Sequence, residues 1–352
     1  MSRPQVVIDS AVRALLDGHW YDAVAALLHN NPPKGQQAKK ARRAYALATA
    51  AKRVLDLDAE DFGTIAKGFN TPWANRLRQS CFPLEPREAE RGALRSLVPL
   101  YELMLEVTEL RALRHEPLQV VVTAHLIGEY LCQLAWESVL GHAGDPLRMG
   151  KSVGERWGTD DPECPHNSAL RATARRSLNA CSGDLVGYTA YLDKFHSRLG
   201  DALGVCAMNH ATIGAGERPD VGETCPHPCR WATRPAMDVR RDLDARVRLA
   251  LLYVDSPIVA LRHHAPVGHF FGVPSVQEIS DAWLRTWSRL TQPWQDGENP
   301  LLLEPVPTAA PENESLPGLS QLVSTVAGRP IGPGRVIRSI GDEIMTTLED
   351  EL

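Results

Sequence analysis

The chain has 352 residues, of which 43% are apolar, 23% charged and only 6% aromatic, with 26 glycines and 26 prolines. That length suits one large domain or two ordinary ones, and helices broken by punctuated loops account for the Gly and Pro content better than a long regular sheet does. A formal net charge of -5 excludes non-specific duplex DNA binding as the main role, because that needs a basic surface to release counterions. It leaves room for a short basic groove or a small substrate.

In chain order, residues 6–16 and 19–28 flank the turn pair Asp17-Gly18 and predict a helical hairpin. Residues 35–55 predict a third helix, carrying Lys39, Lys40, Arg42, Arg43, Lys52 and Arg53. The basic run from Lys34 to Arg53 could touch RNA phosphates, although a solvated helix face is the commoner meaning of such a run. A fourth helix is expected over 56–69, with acidic residues in its first turn where the helix dipole favours them. No 34-residue period marks a tetratricopeptide array.

Two long helices are predicted next, over 88–115 and 118–140, separated by Pro117. The second approaches membrane-spanning length. However, His125, Glu129, Gln133 and Glu137 recur every four residues and so stack on one face. The expectation is a mostly buried amphipathic helix and no span. The start at Met1 shows no charged-then-apolar leader, so a cytoplasmic location is expected.

From 141 to 236 Gly, Pro, Asp and Cys interrupt the pattern, apart from helices expected near 168–181 and 184–204. "GDPLRMGKS" at 144–152 resembles a phosphate-binding loop. It has five residues between Gly144 and Gly150 where four are required, and it continues a helix instead of following a strand. Nucleotide binding is not expected there. Cys164, His166, Cys206, His210, Cys225, His227 and Cys229 fall in the same region. An odd count of seven cysteines in a reducing compartment reads as thiols or metal ligands, not as a disulfide framework. A structural zinc on Cys206, His210, Cys225 and Cys229 stands against the alternative of a proline-rich loop with reduced thiols, since none of the spacings gives a two-residue-gap pair. No other cofactor is expected. If zinc is held there, purified protein will contain it near stoichiometrically and chelation will lower the Tm; metal-free protein prepared without chelator would retire the idea.

Asp238 opens a helix with Leu243, Val247, Ala250, Leu251 and Val254 on one face. It breaks at Asp255-Ser256-Pro257, where Ser256 can cap and Pro257 can take the first helical position. The following short helix carries Arg262 and stops near Pro266, and Ser275 with Glu278 predicts a capping box for a helix to about Leu290. Six prolines in 293–318 predict an extended linker. The final helix is expected from roughly Gly334 and ends in the acidic "LEDEL". With no strand ladder in sight, the fold class is all-α. The expected parts are an N-terminal helical region (1–140), an irregular Cys/His-containing insert (141–236), helices carrying an Arg/His motif (237–292), the linker (293–318) and a C-terminal helical appendage (319–352).

The chemistry concentrates in "LRHHAPVGHFFG", 261–272. Arg262 and His269 have six residues between them, and polar His263 directly follows the arginine. Cleavage of RNA by its own 2′-hydroxyl needs a base for that proton, an acid for the leaving oxygen and positive charge at the phosphorane. Histidine can act as acid or base near neutral pH, arginine offers a permanent charge and a planar fork for phosphate oxygens, and no metal is required. Arg13 and His19, with five residues between them, fall in the same four-to-six-residue window but sit on the hairpin turn. The bland reading of 261–272 is a buried or capping histidine beside a surface arginine. Trp231, Trp283, Trp287 and Trp294 are available near the motif for stacking on bases.

"ALRHHAPVGHFFG", "AYALATAAKRVLDLDAEDFGTIAKGF" and "LAWESVLGHAGDPLRMG" together resemble the helical effector part of the CARF–HEPN ancillary ribonucleases of type III CRISPR systems. The resemblance covers about two-thirds of the chain, and its one specific element is the arginine–histidine motif. It implies a HEPN-like helical domain and a metal-independent endoribonuclease of antiviral defence or toxin-like growth arrest. The substrate implied is single-stranded RNA. Arg262 and His269 are then catalytic and His263 is a supporting polar group, with two copies of the motif meeting across a homodimer; a defence-system protein partner is also implied. This chain departs from the family in carrying His263 where asparagine or aspartate is usual, in the Pro266 and Gly268 break, in its cysteine-rich insert and in lacking the nucleotide-sensing half. The rival expectation, from another class, is a non-catalytic helical adaptor or regulator, zinc-stabilised or not, that docks a protein partner.

Overall fold

The computed structural model describes residues 3–30, 37–153, 181, 184–197, 199, 203, 235–264, 272–295, 297–303, 306 and 314–349, and among them the fold is all-helical, with no strand. The hairpin expected around Asp17-Gly18 is present as α1 (Arg3–Asp17) and α2 (Tyr21–Asn30), followed by α3 (Gln37–Leu55). The stretch 56–69 folds as a short 3-10 turn, Ala59–Asp61, and a single helical turn, α4 (Phe62–Ile65), not as one helix. Next comes α5 (Pro72–Ser80), which the periodicity does not announce. Its start signal is nonetheless in the sequence: Thr71 accepts from the Ala74 N–H, and Pro72 occupies the first helical position.

The helix expected over 88–115 is two helices, α6 (Gly92–Arg95) and α7 (Val98–Leu113). Gly92 has φ 42°, and a Cβ there would overlap the carbonyl oxygen of Cys81, so the chain needs glycine at this close approach. Ser96 is extended, and the orphan donors at the start of α7 are met from a distance. Glu137 accepts from Ser96 Oγ at 2.6 Å and from the Leu97 N–H at 2.8 Å.

Glu137 belongs to α8 (Pro117–Leu140), which packs against α7 at the centre of the molecule. By length and composition α8 could cross a membrane, but 61% of its most apolar window is buried by the rest of the protein. Its four-residue polar stripe is not a solvent face. His125 pairs with Glu129, Gln133 donates to the Ala143 carbonyl at 2.7 Å, and Glu137 also takes Arg329 at 2.5 Å. From Leu131 to Glu137 every residue is buried. Polar groups persist this deep mainly where they are partnered, although Gln133 Oε1 meets no partner among the described residues.

After α9 (Pro146–Val153) and α10 (Leu185–Ala190), which runs on into a π-helical turn, Tyr191–Phe195, the chain forms α11 (Met237–Val254) and α12 (Pro257–Ala260). A further 3-10 turn, Leu261–His264, leads towards α13 (Val276–Leu290). The last helices are α14 (Leu319–Ala327) and α15 (Val336–Glu349). Helices α11, α12 and α14 cover α8, while α15 lies on α3. The buried side chain of Glu106 on α7 accepts the Arg338 N–H at 2.9 Å, so one carboxylate caps the start of α15 from across the core. Burial raises the pKa of that carboxyl.

The described parts of the proline-rich stretch 293–318 are docked, not extended away. Leu301 and Leu316 are core residues, and Asn299 Nδ2 donates to the carbonyls of Leu290 and Gln292, closing the end of α13. One continuous apolar cluster runs from Val12 to Ile344.

Candidate active site

Arg262 is placed by the break between α11 and α13. Ser256 stands at the cap position of α12 with Pro257 at the first helical residue, but its hydroxyl makes no capping bond. The donor left over, the Ile258 N–H, is taken instead by Thr286 Oγ1 of α13 at 3.1 Å, while the Thr286 hydroxyl donates to Ala282 at 2.9 Å. The capping box that begins α13 is present as expected, with Ser275 and Glu278 bonding reciprocally. One threonine therefore ties the arginine-bearing turn to a well-capped helix. Thr286→Val keeps the shape and strands a buried N–H, so it should cost about 1–3 kcal/mol of stability. The readout is the urea midpoint, with Thr286→Ser as the milder control; a midpoint within error of wild type would show that Thr286 does not hold the turn.

The turn Leu261–His264 packs on α8, and this brings together residues far apart in sequence. The guanidinium Nη1 of Arg262 lies 2.5 Å from Nε2 of His125. The same Nε2 is 3.1 Å from Oε1 of Glu129, one turn further along α8. His125 is largely covered, at 15% side-chain exposure, and Glu129 is more open, at 37%. Among the described residues, Nδ1 of His125 meets no partner.

This geometry limits what the imidazole can do. Nε2 can accept from Arg262 only while it is unprotonated, and it can donate to Glu129 only while it carries a hydrogen. The ring thus stands between a fixed positive charge and a carboxylate, with one nitrogen serving whichever partner its protonation allows. Arginine keeps further N–H groups for an incoming anion. A cation, a proton-exchanging ring and an orienting carboxylate are the parts that acid–base cleavage of a phosphodiester uses.

Of the residues singled out from sequence, Arg262 is half-buried in this cluster and His263 is exposed beside it. His269 lies outside the described residues. The second arginine–histidine pair does not meet: Arg13 pairs with Glu349 on α15, and His19, at φ 58°, turns its Nδ1 to Tyr21 Oη at 3.2 Å. Cys164, His166, Cys206, His210, Cys225, His227, Cys229 and Trp231 also lie outside the described residues, among which no group of three or more His, Cys, Asp or Glu is arranged to hold a metal ion.

Comparison of the chain with protein-family models, with curated proteins and with solved structures gives no match.

Two other sequence features resolve into structure. Much of the basic run is spent on neighbouring carboxylates: Arg43 pairs with Glu343 at 2.6 Å, Lys52 with Asp56 at 2.5 Å, and Arg53 with both Asp58 and Asp61. At "GDPLRMGKS", Asp145 supplies its own anion to the start of α9. Its carboxylate accepts from the Leu147 N–H at 3.1 Å and holds Arg91 at 2.8 Å, so the position a phosphate would take is filled. His125 is the site residue that reading 261–272 alone misses. Its signal was the i, i+4 pairing with Glu129, visible in the stripe; its approach to Arg262, 137 positions away, is a tertiary fact.

Proposed function

We propose that this protein is a metal-independent endoribonuclease acting on single-stranded RNA, built on a HEPN-like helical frame and serving in defence or growth arrest. The observation that carries the reading is the Arg262–His125–Glu129 cluster, in which the motif arginine is held against a second histidine on the core helix. In this scheme His269 takes the proton of the ribose 2′-hydroxyl. The freed oxygen attacks phosphorus, Arg262 balances the charge of the phosphorane, and as the P–O5′ bond breaks the departing oxygen takes the proton held by the His269 imidazolium. The products are a 2′,3′-cyclic phosphate and a 5′-hydroxyl. His125 and Glu129 position the guanidinium, and exposed His263 supports it from the solvent side. Two copies of the motif facing each other in a homodimer would make one composite cleft. The test is cleavage of an end-labelled single-stranded RNA in EDTA, with the product ends identified. Absence of cleavage under every condition, or products bearing a 5′-phosphate, would overturn the reading.

The non-catalytic adaptor is the second reading. What favours it is the outer face of α13, where Val276 and Leu284 are 65% and 63% exposed; apolar groups clustered at a surface commonly mark contact sites.

A further inference from the structure

A cavity of about 480 Å³ lies between the α7–α8 junction, α13 and the 315–317 strap. Its walls include Val120, Ile279, Trp283, Trp287, Leu316 and Pro317. None of the Arg262, His125 or Glu129 side chains borders it, so it is a second place on the molecule. The volume falls within the roughly 300–1,000 Å³ range of small-molecule sites.

The walls are built, not incidental. Trp283 and Trp287, one turn apart on α13, hold their rings 5.9 Å apart at 30°. The Trp283 indole N–H donates to the Pro317 carbonyl at 3.1 Å. Trp287 lies over Gly318, which has φ 91° and where any Cβ would overlap the indole. The strap is anchored from below by Glu109, which accepts from the Ser315 N–H at 3.0 Å and from its hydroxyl at 2.8 Å. His115, which ends α7 in the left-handed region at φ 55° as a helix C-terminus commonly does, also lines the cavity.

The charges around the cavity say what it would take. Glu116 is paired with Arg111 at 2.5 Å and Arg114 at 2.8 Å. Glu314 accepts from the N–H groups of Gly318 and Ser320, both at 2.8 Å, and Glu109 is spent on Ser315. Glu116, Glu314 and Glu109 are thus already partnered, and the lining, which also includes His115, Ser280 and Ser315, is mostly apolar and aromatic. A charged guest would lose its hydration without finding a counter-charge. We infer that this cavity is a binding site for a neutral, flat, apolar small molecule that lies against the Trp287 face.

The experiment is titration of the full-length protein with N-phenyl-1-naphthylamine, a neutral fluorophore of a naphthyl and a phenyl group, read by energy transfer from tryptophan. The expected result is saturable binding of one probe per chain. Ser280→Trp, which plugs the cavity from an exposed lining position, should weaken binding at least tenfold, and Leu284→Glu, which puts a charge at the rim, should do likewise. Both positions are on the exposed side of α13, so the Tm should stay near that of wild type. 8-Anilino-1-naphthalenesulfonate, with the same kind of ring pair but an added negative charge, should bind at least tenfold more weakly. Non-saturable binding, or unchanged affinity in both folded variants, would overturn the site; equal affinity for the sulfonate would overturn the neutral-ligand assignment. RNA cleavage plays no part in the readout, so this inference and the nuclease reading stand or fall separately.

Discussion

Arg262→Ala lowers the rate of single-stranded RNA cleavage by about 100- to 1,000-fold, the loss usual when one preorganised charge is removed from a developing oxyanion. Arg262→Lys recovers only part of it, because a point charge cannot replace a planar fork that binds a phosphate while it also donates to an imidazole. His269→Ala removes a proton-transfer group and costs about 100- to 10,000-fold. Since the two groups act on one transition state, the double variant is little worse than either single one. The structure adds a finer expectation for His125, whose Nε2 lies 2.5 Å from the guanidinium. His125→Gln keeps an acceptor within reach of Arg262 and should retain most of kcat, whereas His125→Ala releases the arginine and should lower kcat more than it raises KM. His19→Ala is the control, because His19 sits on the α1–α2 turn against Tyr21. Single-turnover cleavage of a labelled oligonucleotide in EDTA measures all of these. Wild-type rates in Arg262→Ala and His269→Ala would end the proposal and leave the adaptor reading in its place.

How much of this could be read from the chain differs by distance along it. Local signals served well. The Asp17-Gly18 turn, the Ser275–Glu278 capping box and the boundaries of α8 all depend on contacts within a few residues, and composition states these directly. What failed was long-range. The stripe His125, Glu129, Gln133 and Glu137 has the spacing of a solvated face, yet it is satisfied by Glu129, Ala143, Ser96 and Arg329 inside the fold. Periodicity reports that four polar groups share a face; it does not report what covers that face. In the same way 293–318 is too proline-rich for a regular helix, but proline content says nothing against burying Leu301 and Leu316. At the candidate site the arginine was legible from its motif. Its histidine neighbour on α8 was not, because the pairing closes a loop of 137 positions.

Lowering the pH from 7.5 to 4.5 will remove about 5 kcal/mol of stability through two buried histidines. His196 is fully buried under Phe82, Tyr130 and Tyr191. Gln133 Nε2 lies 2.7 Å from both the Ala143 carbonyl and His196 Nε2, and His196 Nε2 is itself 2.9 Å from that carbonyl. A proton on that nitrogen could be given to the Ala143 carbonyl, which favours the charged ring, but burial outweighs this. His142, also buried, accepts the Asp145 N–H through Nδ1 at 3.0 Å, with Arg148 adding an unfavourable charge and Asp145 a smaller favourable one. Burial is the leading cause in both, and it pushes each imidazole down to about 4 from 6.5. The sign follows directly. The unfolded chain takes up protons near pH 6.5 that the folded protein refuses until about pH 4, so this stability is complete above the unfolded value and drains away between the two. Each histidine contributes about 2–3 kcal/mol of the loss at pH 4.5, and a loss of that size is a large share of the roughly 5–15 kcal/mol that keeps a domain folded. Glu106 and Glu109 work the other way, since burial raises their carboxyls and protonating them favours the fold. The comparison must therefore be between variants, not of wild type alone. His142→Asn and His196→Gln keep an acceptor near the original nitrogen without a titratable ring, and together they should flatten the fall in the urea midpoint between pH 6.5 and 4.5. If the double variant loses stability with acid as steeply as wild type, the acid sensitivity resides elsewhere.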